Sequence, residues 1–481
     1  MADDEDREEQ VWTDALPVCQ HSGIGSLQNQ GYKADGTRVT YRDSEDLFFH
    51  FRTDDANTYL YAIFDGYDGK EVAAFAHQRL PAELLLGQIE GVTDDDQVKQ
   101  ILSQAILIVE RSYFETIDGL LAQKTMLSMN LPEGFNMRQT FQHQEEIAQL
   151  KEIEEKLKGG TALIVALLHR KKLYVANVGD SRALLCTKEE NGALTVTKVS
   201  VDHNIANDDE VLRLEQLGLG TNVFQGEPLI GDSPATRTIG NYRVKGGYRD
   251  NPDLRCASKE PVIADPDIVG GIKMDGKVGF LVMFTHGFWQ ALEAATGTTN
   301  IDTDIVNMVA KEFSQQGTLS SVAQAVVDRV VRMHHDAFMS GGQQKELKRR
   351  EDITVIVRNF DFPLGHTRHI YIPPRHVNVA QEYPVITPIY SPSSGSVNGG
   401  SSPSTPLPFD QTPTPNTTPK ISRLESSGGV STNSSEDSDQ RPLSGSLGEA
   451  EEEEKMIDAY VNFNDLNIAL LNTDTAEVYI Q

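Results

Sequence analysis

Ala-Ile-Phe-Asp-Gly-Tyr-Asp-Gly occupies residues 62–69 of this chain. An Asp-Gly pair by itself marks only a turn. Here the pair joins a strand pattern, Tyr59–Phe64, to a helix pattern, Glu71–Leu80. Three further segments follow along the chain: Gly160–Arg182, which ends in Gly-Asp-Ser-Arg, then Gly279–Trp289 and Glu351–Val355. Four such segments in one order are a more specific signal than any one of them.

Strand and helix patterns are mixed over residues 20–360 without strict alternation, which favours an α+β fold with antiparallel sheets. The other strand candidates are Ala162–Leu168, Lys172–Val178, Ala183–Cys186, Phe280–Phe284 and Ile353–Val357. The other helix candidates are Gln97–Leu120, Asp208–Leu217 and Leu319–His335. Residues 139–158 are polar and end at Gly159-Gly160, which predicts a solvent-exposed helical arm inserted between the segments.

The four segments resemble the protein phosphatase 2C family. The resemblance implies an α+β sandwich of two antiparallel β-sheets flanked by helices, over residues 12–365. In that family these segments hold two divalent metal ions, which polarise phosphoryl oxygens and lower the pKa of a bridging water. By the same resemblance, Asp65 corresponds to a bridging carboxylate ligand and Gly66 to a carbonyl ligand. Tyr67 stands where a histidine is common in the family.

Several positions that hold acids in the family hold other residues here. His286 and Gln290 replace aspartates, and Asn241 replaces a third acid. A histidine cannot bridge two hard cations as a carboxylate does. Glu351 keeps the charge of the last motif but is one methylene longer than aspartate. Two adjacent dications would therefore repel each other with little compensation.

The resemblance, with these losses, predicts a pseudophosphatase without catalytic residues. Asp65, Gly66 and Glu351 are then vestiges of the metal site, and the ligand lost at His286 disables it. We expect no cofactor, or at most weak residual Mn²⁺ or Mg²⁺. Gly179–Arg182 matches the family fully, and we expect it to be mainly architectural.

The first acidic motif has two possible alignments. One places Lys33 at the family's phosphate-binding arginine and Thr37-Arg38 at its acidic pair, which puts a cation at a metal ligand. The other places Arg42 at the arginine and Glu45-Asp46 at the pair, at slightly short spacing before Asp65. The second alignment retains an active phosphatase as the alternative function. A third interpretation, which we favour at this point, leaves Glu45-Asp46 in a solvated loop.

The composition excludes several classes of partner. The chain has 481 residues, 38% of them hydrophobic, and a net charge of −28, which argues against nucleic acid and against anionic membranes. Residues 1–11 are acidic and unlike a signal peptide, and no apolar stretch is long enough to span a bilayer. Three cysteines without CxxC spacing suit a reducing compartment. We therefore expect a cytoplasmic protein.

The C-terminal quarter has a different composition. Residues 366–450 are rich in Ser, Thr and Pro and are predicted to be a disordered linker. Seven of their hydroxyl residues precede proline and are candidate phosphorylation sites: Thr387, Ser391, Ser402, Thr405, Thr412, Thr414 and Thr418. Residues 451–481 begin with four glutamates and then space apolar residues by three and four, which predicts a short amphipathic helix that packs on another protein.

Within the family, the chain resembles the pseudophosphatase adaptors that bind TGF-β-activated kinase. The resemblance rests on Phe64–Gly69, Gln78–Leu80 with Ala82–Gln88, Leu131–Gly134, Ala323–Val330 and Tyr460–Phe463. It implies a non-catalytic adaptor that activates a mitogen-activated kinase kinase kinase in stress and immune signalling. Further partners implied are a stress-activated MAP kinase and an inhibitor-of-apoptosis protein. The residues implied to bind the kinase are Tyr460, Val461, Phe463 and Leu466.

Overall fold

The computed structural model describes residue 13 and the ranges 16–33, 35–53, 57–86, 88–131, 143–220, 229–341 and 345–365. Three predicted regions lie outside the described residues: the acidic N-terminus 1–11, the linker 366–450 and the helix 451–481. The implied kinase-binding residues and the seven candidate phosphorylation sites fall there as well.

Two antiparallel sheets form the centre of the described fold, as predicted. The strands are β1 Ser22–Leu27, β2 Gln30–Tyr32, β3 Arg38–Val39, β4 Leu47–Arg52, β5 Thr58–Tyr67, β6 Gly160–His169, β7 Lys172–Val178, β8 Arg182–Lys188, β9 Leu194–Lys198, β10 Ile239–Gly240, β11 Asp267–Lys273, β12 Val278–Phe284, β13 Arg349–Arg350 and β14 Ile353–Asn359. One sheet has the order β11-β7-β6-β5-β4, with β10 paired to β6, and the other has the order β1-β14-β12-β8-β9. A small third sheet has the order β13-β2-β3.

Several of the described helices cover the outer faces of the two large sheets. The described helices are α1 Glu71–Leu85, α2 Asp95–Thr116, α3 Asp118–Asn130, α4 Gln144–Lys156, α5 Asp208–Gln216, α6 His286–Thr296, α7 Ile301–Gln315, α8 Leu319–Met339 and α9 Lys345–Lys348. The helices α1 and α2 pack on the first sheet, and α6, α7 and α8 pack on the second. Among the described helices, none is both long and apolar enough to cross a membrane.

The side chains of β5 alternate between the two faces of its sheet, which shows why this strand lies at the centre. Leu60 and Phe64 point to the cluster beneath α1 and α2, whereas Tyr61 and Ile63 point into the layer between the sheets. Successive side chains of a strand face opposite sides, and both sides are covered here. A near-continuous apolar run is the result, and it ends at Asp65.

Two predicted helical elements differ from the structure. The predicted helix Gln97–Leu120 breaks at Ile117, where the chain turns into α3. The predicted exposed arm is wrong in one respect, because Ile153 and Leu157 are buried against the cluster beneath α1 and α2. The arm is mostly polar, so its composition did not indicate that Ile153 and Leu157, one helical turn apart, are buried.

Candidate functional site

The sequence-predicted site residues meet where β5 ends and where β8 and β14 begin. Asp65 lies near the end of β5, Asp180 lies two residues before β8, and His286 begins α6 two residues after the end of β12. Asp352 directly precedes β14. Because all of these strands are antiparallel neighbours or face each other across the sandwich, residues far apart in sequence share one end of it.

Asp65 accepts two hydrogen bonds through one carboxylate oxygen. The backbone N–H of His286 donates to it at 2.9 Å, and the Ser181 hydroxyl donates at 3.2 Å. Burial, together with the nearby negative charge of Glu351, raises the pKa of Asp65 to about 7. The aspartate is therefore retained and held in place, but its negative charge is costly in this setting.

His286 forms an ion pair at this site. Its Nδ1 lies 2.8 Å from Oδ2 of Asp180, and its ring meets Trp289 edge-on at 4.6 Å between centroids. Burial alone would lower the pKa of His286, but Asp180, with smaller contributions from Glu351 and Asp65, raises it to about 10. At neutral pH the side chain is an imidazolium, so a cation of the chain itself stands among the carboxylates.

Sequence reasoning missed the role of Asp180, which was expected to be mainly architectural. Asp180 is 5% exposed, and its backbone oxygen accepts a hydrogen bond from Nε1 of Trp289 at 3.1 Å. Burial would raise the pKa of this carboxyl, but the His286 cation brings it below its ordinary value. The replacement of an acid by histidine, opposite an intact Gly-Asp-Ser-Arg turn, was the signal for this pairing.

The interpretation of Glu45-Asp46 as a solvated loop is wrong. Glu45 is 9% and Asp46 is 8% exposed. Oε1 of Glu45 accepts from the backbone N–H of Gly69 at 2.8 Å, and Oδ2 of Asp46 accepts from the Thr354 hydroxyl at 2.8 Å. Both acids therefore lie against the Asp-Gly segment and the start of β14.

The alternative pair, Thr37-Arg38, does not contribute to this site. Arg38 lies in β3 of the small third sheet, pairs with Tyr32 and is exposed. The structure thus agrees with the alignment of Glu45-Asp46 on the family's acidic pair. The deciding contact joins residues 308 positions apart, which no local pattern reveals.

Arg42 brings a second cation to the acidic cluster. Its guanidinium lies 2.7 Å from a carboxylate oxygen of Glu45 and 3.8 Å from one of Asp352. Asp352 also accepts hydrogen bonds from the backbone and side-chain N–H groups of Asn29, at 2.8 and 3.0 Å. The Asp352 carboxylate therefore holds the loop that contains Asn29 in place, and the Glu45 carboxylate is paired with Arg42.

Two glycines permit the close contacts of the site. A Cβ on Gly66 would lie 2.5 Å from the carbonyl oxygen of Glu45, and one on Gly287 would lie 2.2 Å from that of Asp352. Both distances are shorter than real Cβ contacts allow. Gly66 is thus required for backbone packing, whatever its carbonyl oxygen binds.

Tyr67 and Asn241 fill the neighbouring space. The Asn241 side-chain N–H donates to the Tyr67 hydroxyl at 3.3 Å, and Asn241 itself is fully buried with a left-handed φ of 53°. Burial raises the pKa of Tyr67 to about 12, so the phenol stays protonated. A tyrosine in place of histidine and an asparagine in place of an acid are therefore bonded to each other.

The residues present do not fit the family's two-ion site. Asp46, Asp65 and the exposed Glu351 remain in one region, and burial followed by mutual repulsion raises the pKa of Asp46 well above its ordinary value. His286 and Arg42 supply cations to the same region. Within the described ranges, no three His, Cys, Asp or Glu side chains converge in an arrangement that could hold a metal ion.

Comparison with known proteins places this geometry in context. The family model described as "Protein phosphatase 2C" matches residues 28–336. A Caenorhabditis elegans protein named TGF-beta-activated kinase 1 and MAP3K7-binding protein 1 is 27% identical over 71% of this chain and 82% of its own length. Probable protein phosphatase 2C 4 of Paramecium tetraurelia is 26% identical over 60% of this chain and 80% of its own length. The crystal structure of serine-threonine phosphatase 2C from Toxoplasma gondii matches with a TM-score of 0.45 and 14% identity, over 72% of this chain and 98% of that chain.

Proposed function

This chain belongs to the protein phosphatase 2C family, and from that premise we propose that it is a non-catalytic adaptor that binds and activates a mitogen-activated kinase kinase kinase of the TGF-β-activated type. The ion pair of His286 with Asp180 is the observation that supports a non-catalytic role. An imidazolium that points at a buried carboxylate occupies the region where the family's chemistry needs divalent ions.

Cations of the chain itself lie beside the retained acids. In a two-ion phosphatase, metal ions compensate the converging carboxylates and activate water. Here the compensation comes from His286 beside Asp180 and from Arg42 beside Glu45. An imidazolium or a guanidinium does not lower the pKa of a bound water as a divalent metal ion does. Binding of two further dications would add positive charge next to both of them.

The kinase partner is supported by the similarity to the C. elegans protein, which is named as a kinase-binding protein. We propose that Tyr460, Val461, Phe463 and Leu466 contact the kinase domain. A partner that binds the active arrangement of a kinase more tightly than the inactive one shifts that equilibrium. The phosphatase-like domain then serves as a docking platform in the cytoplasm, where a stress-activated MAP kinase and an inhibitor-of-apoptosis protein are further candidate partners.

Phe463→Ala in the full-length chain is expected to weaken binding to TGF-β-activated kinase by about thirtyfold, because truncation of an aromatic anchor typically costs about 2 kcal/mol. Asp465→Asn, on the opposite side of the predicted helix, is the matched control and should change the affinity by less than about twofold. Biolayer interferometry gives both affinities, and kinase autophosphorylation measured on the same mixtures gives activation. Equal binding by the two variants would rule out this segment as the contact.

An active metal-dependent Ser/Thr phosphatase is the second candidate function. The observation that favours it is the position of Glu45 and Asp46, both buried beside the Asp-Gly segment and the start of β14. Their carboxylate oxygens, like those of Asp65 and Glu351, are of the type that Mn²⁺ and Mg²⁺ prefer as ligands. Release of phosphate that depends on added Mn²⁺ would support this function over the adaptor.

A further inference from the structure

A concave region lies between three of the helices that cover the second large sheet. It has a volume of about 300 Å³ and is bounded by the end of α6, one face of α7 and the middle of α8, and we call it the three-helix groove. Leu292 and Thr296 line it from α6. They follow His286 by roughly 9 and 15 Å along the helix, so the groove is separate from the acidic cluster.

The floor of the three-helix groove is the outer surface of the core beneath these helices. It is formed by Leu292, Met308 and Met333. Leu292 and Met308 belong to that core, and Met333, which is half-buried, packs against it. An apolar side chain placed in the groove would therefore contact a continuous apolar surface. Methionine side chains adapt readily to the shape of such a partner.

The charges on the rim of the groove favour neither an acidic nor a basic ligand. Asp304 and Lys311, one of each sign, line the groove. Arg329 also lines it, and its guanidinium lies 3.9 Å from a carboxylate oxygen of Glu312. The rim is therefore close to neutral, and a ligand must be recognised through the apolar floor.

The described residues end beside this groove. Gly365 is the last of them, and its backbone N–H donates to the carbonyl oxygen of Phe313, in the last turn of α7, at 2.7 Å. A Cβ on Gly365 would lie 2.7 Å from the carbonyl oxygen of Ser314, so glycine lets the chain lie directly against the helix. The ring of Phe362 fixes this approach, with its centroid 5.2 Å from that of Phe280 and 5.0 Å from that of Phe313.

The end of the described chain and the groove share one face of α7. Asn307, Lys311 and Ser314 are all exposed and are spaced by four and three residues, so they form one stripe along the helix. The distance from Ser314 back to Asn307 is about 10 Å along the helix. Five residues of extended chain can span up to about 17 Å. Residue 370 is therefore within reach of the groove.

The sequence supplies an apolar segment at this distance. Four polar residues follow Gly365, and the first bulky apolar residues after them are Ile370, Tyr371 and Ile372, which lie outside the described ranges. A short tether gives a segment an effective concentration in the millimolar range or so at a nearby site. A weak apolar contact is then enough to keep the groove occupied, whereas an unconnected protein would have to compete with the tethered segment.

We propose that residues 366–372 of this same chain bind in the three-helix groove, with the side chains of Ile370 and Ile372 on its floor. Alternate side chains of an extended segment face the same side, which assigns Tyr371 to the rim. The start of the tail that carries the implied kinase-binding residues is thereby held on the helical face of the domain. This binding requires neither the acidic cluster nor a kinase.

The test uses the full-length protein with carbon-13 labelled methionine methyl groups. The variant I370S/I372S should shift the NMR signals of Met308 and Met333, because the apolar side chains above them are removed. The control V377S/V379S makes a comparable change at two residues with the same spacing, seven positions later in the chain, and should leave both signals in place.

Trypsin cleavage after Arg368, followed by mass spectrometry of the full-length protein, gives a second readout. Cleavage of a bound segment follows the fraction of time that the segment is released. The variant I370S/I372S should therefore be cleaved after Arg368 at least about tenfold faster than the original protein, and V377S/V379S should stay within about twofold of the original rate.

A substitution on the groove side tests the same contact without a change to the segment. Thr296→Phe places a ring at the mouth of the groove and should also accelerate cleavage after Arg368. Thr303→Phe is the matched control, since Thr303 is exposed on α7 but is not part of the groove lining. It should leave the cleavage rate unchanged.

The proposal is overturned if I370S/I372S leaves both methionine signals in place and the cleavage rate after Arg368 unchanged. It is also overturned if the two serine variants, or the two phenylalanine variants, have equal effects. If the signals of Met308 and Met333 shift with protein concentration, a second copy of the chain occupies the groove instead, and the proposal is wrong.

Discussion

Asp180→Asn is expected to lower the free energy of unfolding at neutral pH by on the order of 3 kcal/mol, because it removes the anion that pairs with His286 while preserving the shape of the side chain. The paired imidazolium has a pKa of about 10, against 6.5 for an ordinary histidine. A folded-state pKa that is raised contributes stability that is fully present below pH 6.5 and is lost as the pH rises through about 10. Chemical denaturation at neutral and alkaline pH measures both effects.

The control for this prediction is Asp302→Asn. Asp302 also meets a cation, with its carboxylate 3.2 Å from Arg182, but its side chain is 31% exposed. The loss should stay below about 1 kcal/mol, as for other exposed pairs. The ion pair would be wrong if Asp180→Asn were as stable as the control and lost as much stability at alkaline pH as the original protein does. NMR titration of the His286 ring would locate its pKa directly.

Gly287→Ala is expected to lower the free energy of unfolding by about 3 kcal/mol or more, because overpacking against a rigid neighbour forces the backbone to move. The added Cβ would lie 2.2 Å from the Asp352 carbonyl oxygen and 3.1 Å from Cβ of Glu351. The start of α6 could then no longer pack on the start of β14. The measurement is the denaturation midpoint at constant m-value.

Gly119→Ala is the matched control, since it makes the same substitution in a helix with open space. Apart from its chain neighbours and the backbone of its own helix, no described atom lies within 4 Å of the position where a Cβ would be added at Gly119 in α3. Alanine favours a helix over glycine by up to about 1 kcal/mol, so this variant should be slightly more stable. If Gly287→Ala also stabilised the protein, the close approach of α6 to β14 would be wrong.

The sequence predicted the central strands well because their two-sided burial produces apolar runs that local patterns detect. Strand β7 has the predicted ends, and β5 and β6 extend the predicted strands by a few polar residues. Strand β1 was missed because it contains Gly23 and Gly25. At these positions a Cβ would lie 2.1 and 2.5 Å from the backbone of α8. Those glycines are required because β1 packs closely against a helix about 300 residues later in the sequence. The local sequence of β1 has no strand propensity that would indicate this.

The site was predicted in part. The loss of an acid at His286 was evident from that position alone. The ion pair that His286 forms could not be predicted, because its partner, Asp180, lies more than 100 residues earlier. The position of Glu45-Asp46 depended on Thr354, at the opposite end of the domain. Contacts between residues so far apart in sequence follow from the order of the strands in each sheet. That order could not be predicted from the sequence alone.

The central claim is that His286 and Arg42 take the place of metal ions among the retained carboxylates. Calorimetric titration of the full-length protein with Mn²⁺ and with Mg²⁺, with phosphate release from a phosphothreonine peptide assayed on the same sample, tests it most directly. We predict no saturable uptake of either ion and no phosphate release. Tight uptake of two ions together with phosphate release would contradict the claim and would identify Glu45 and Asp46 as ligands.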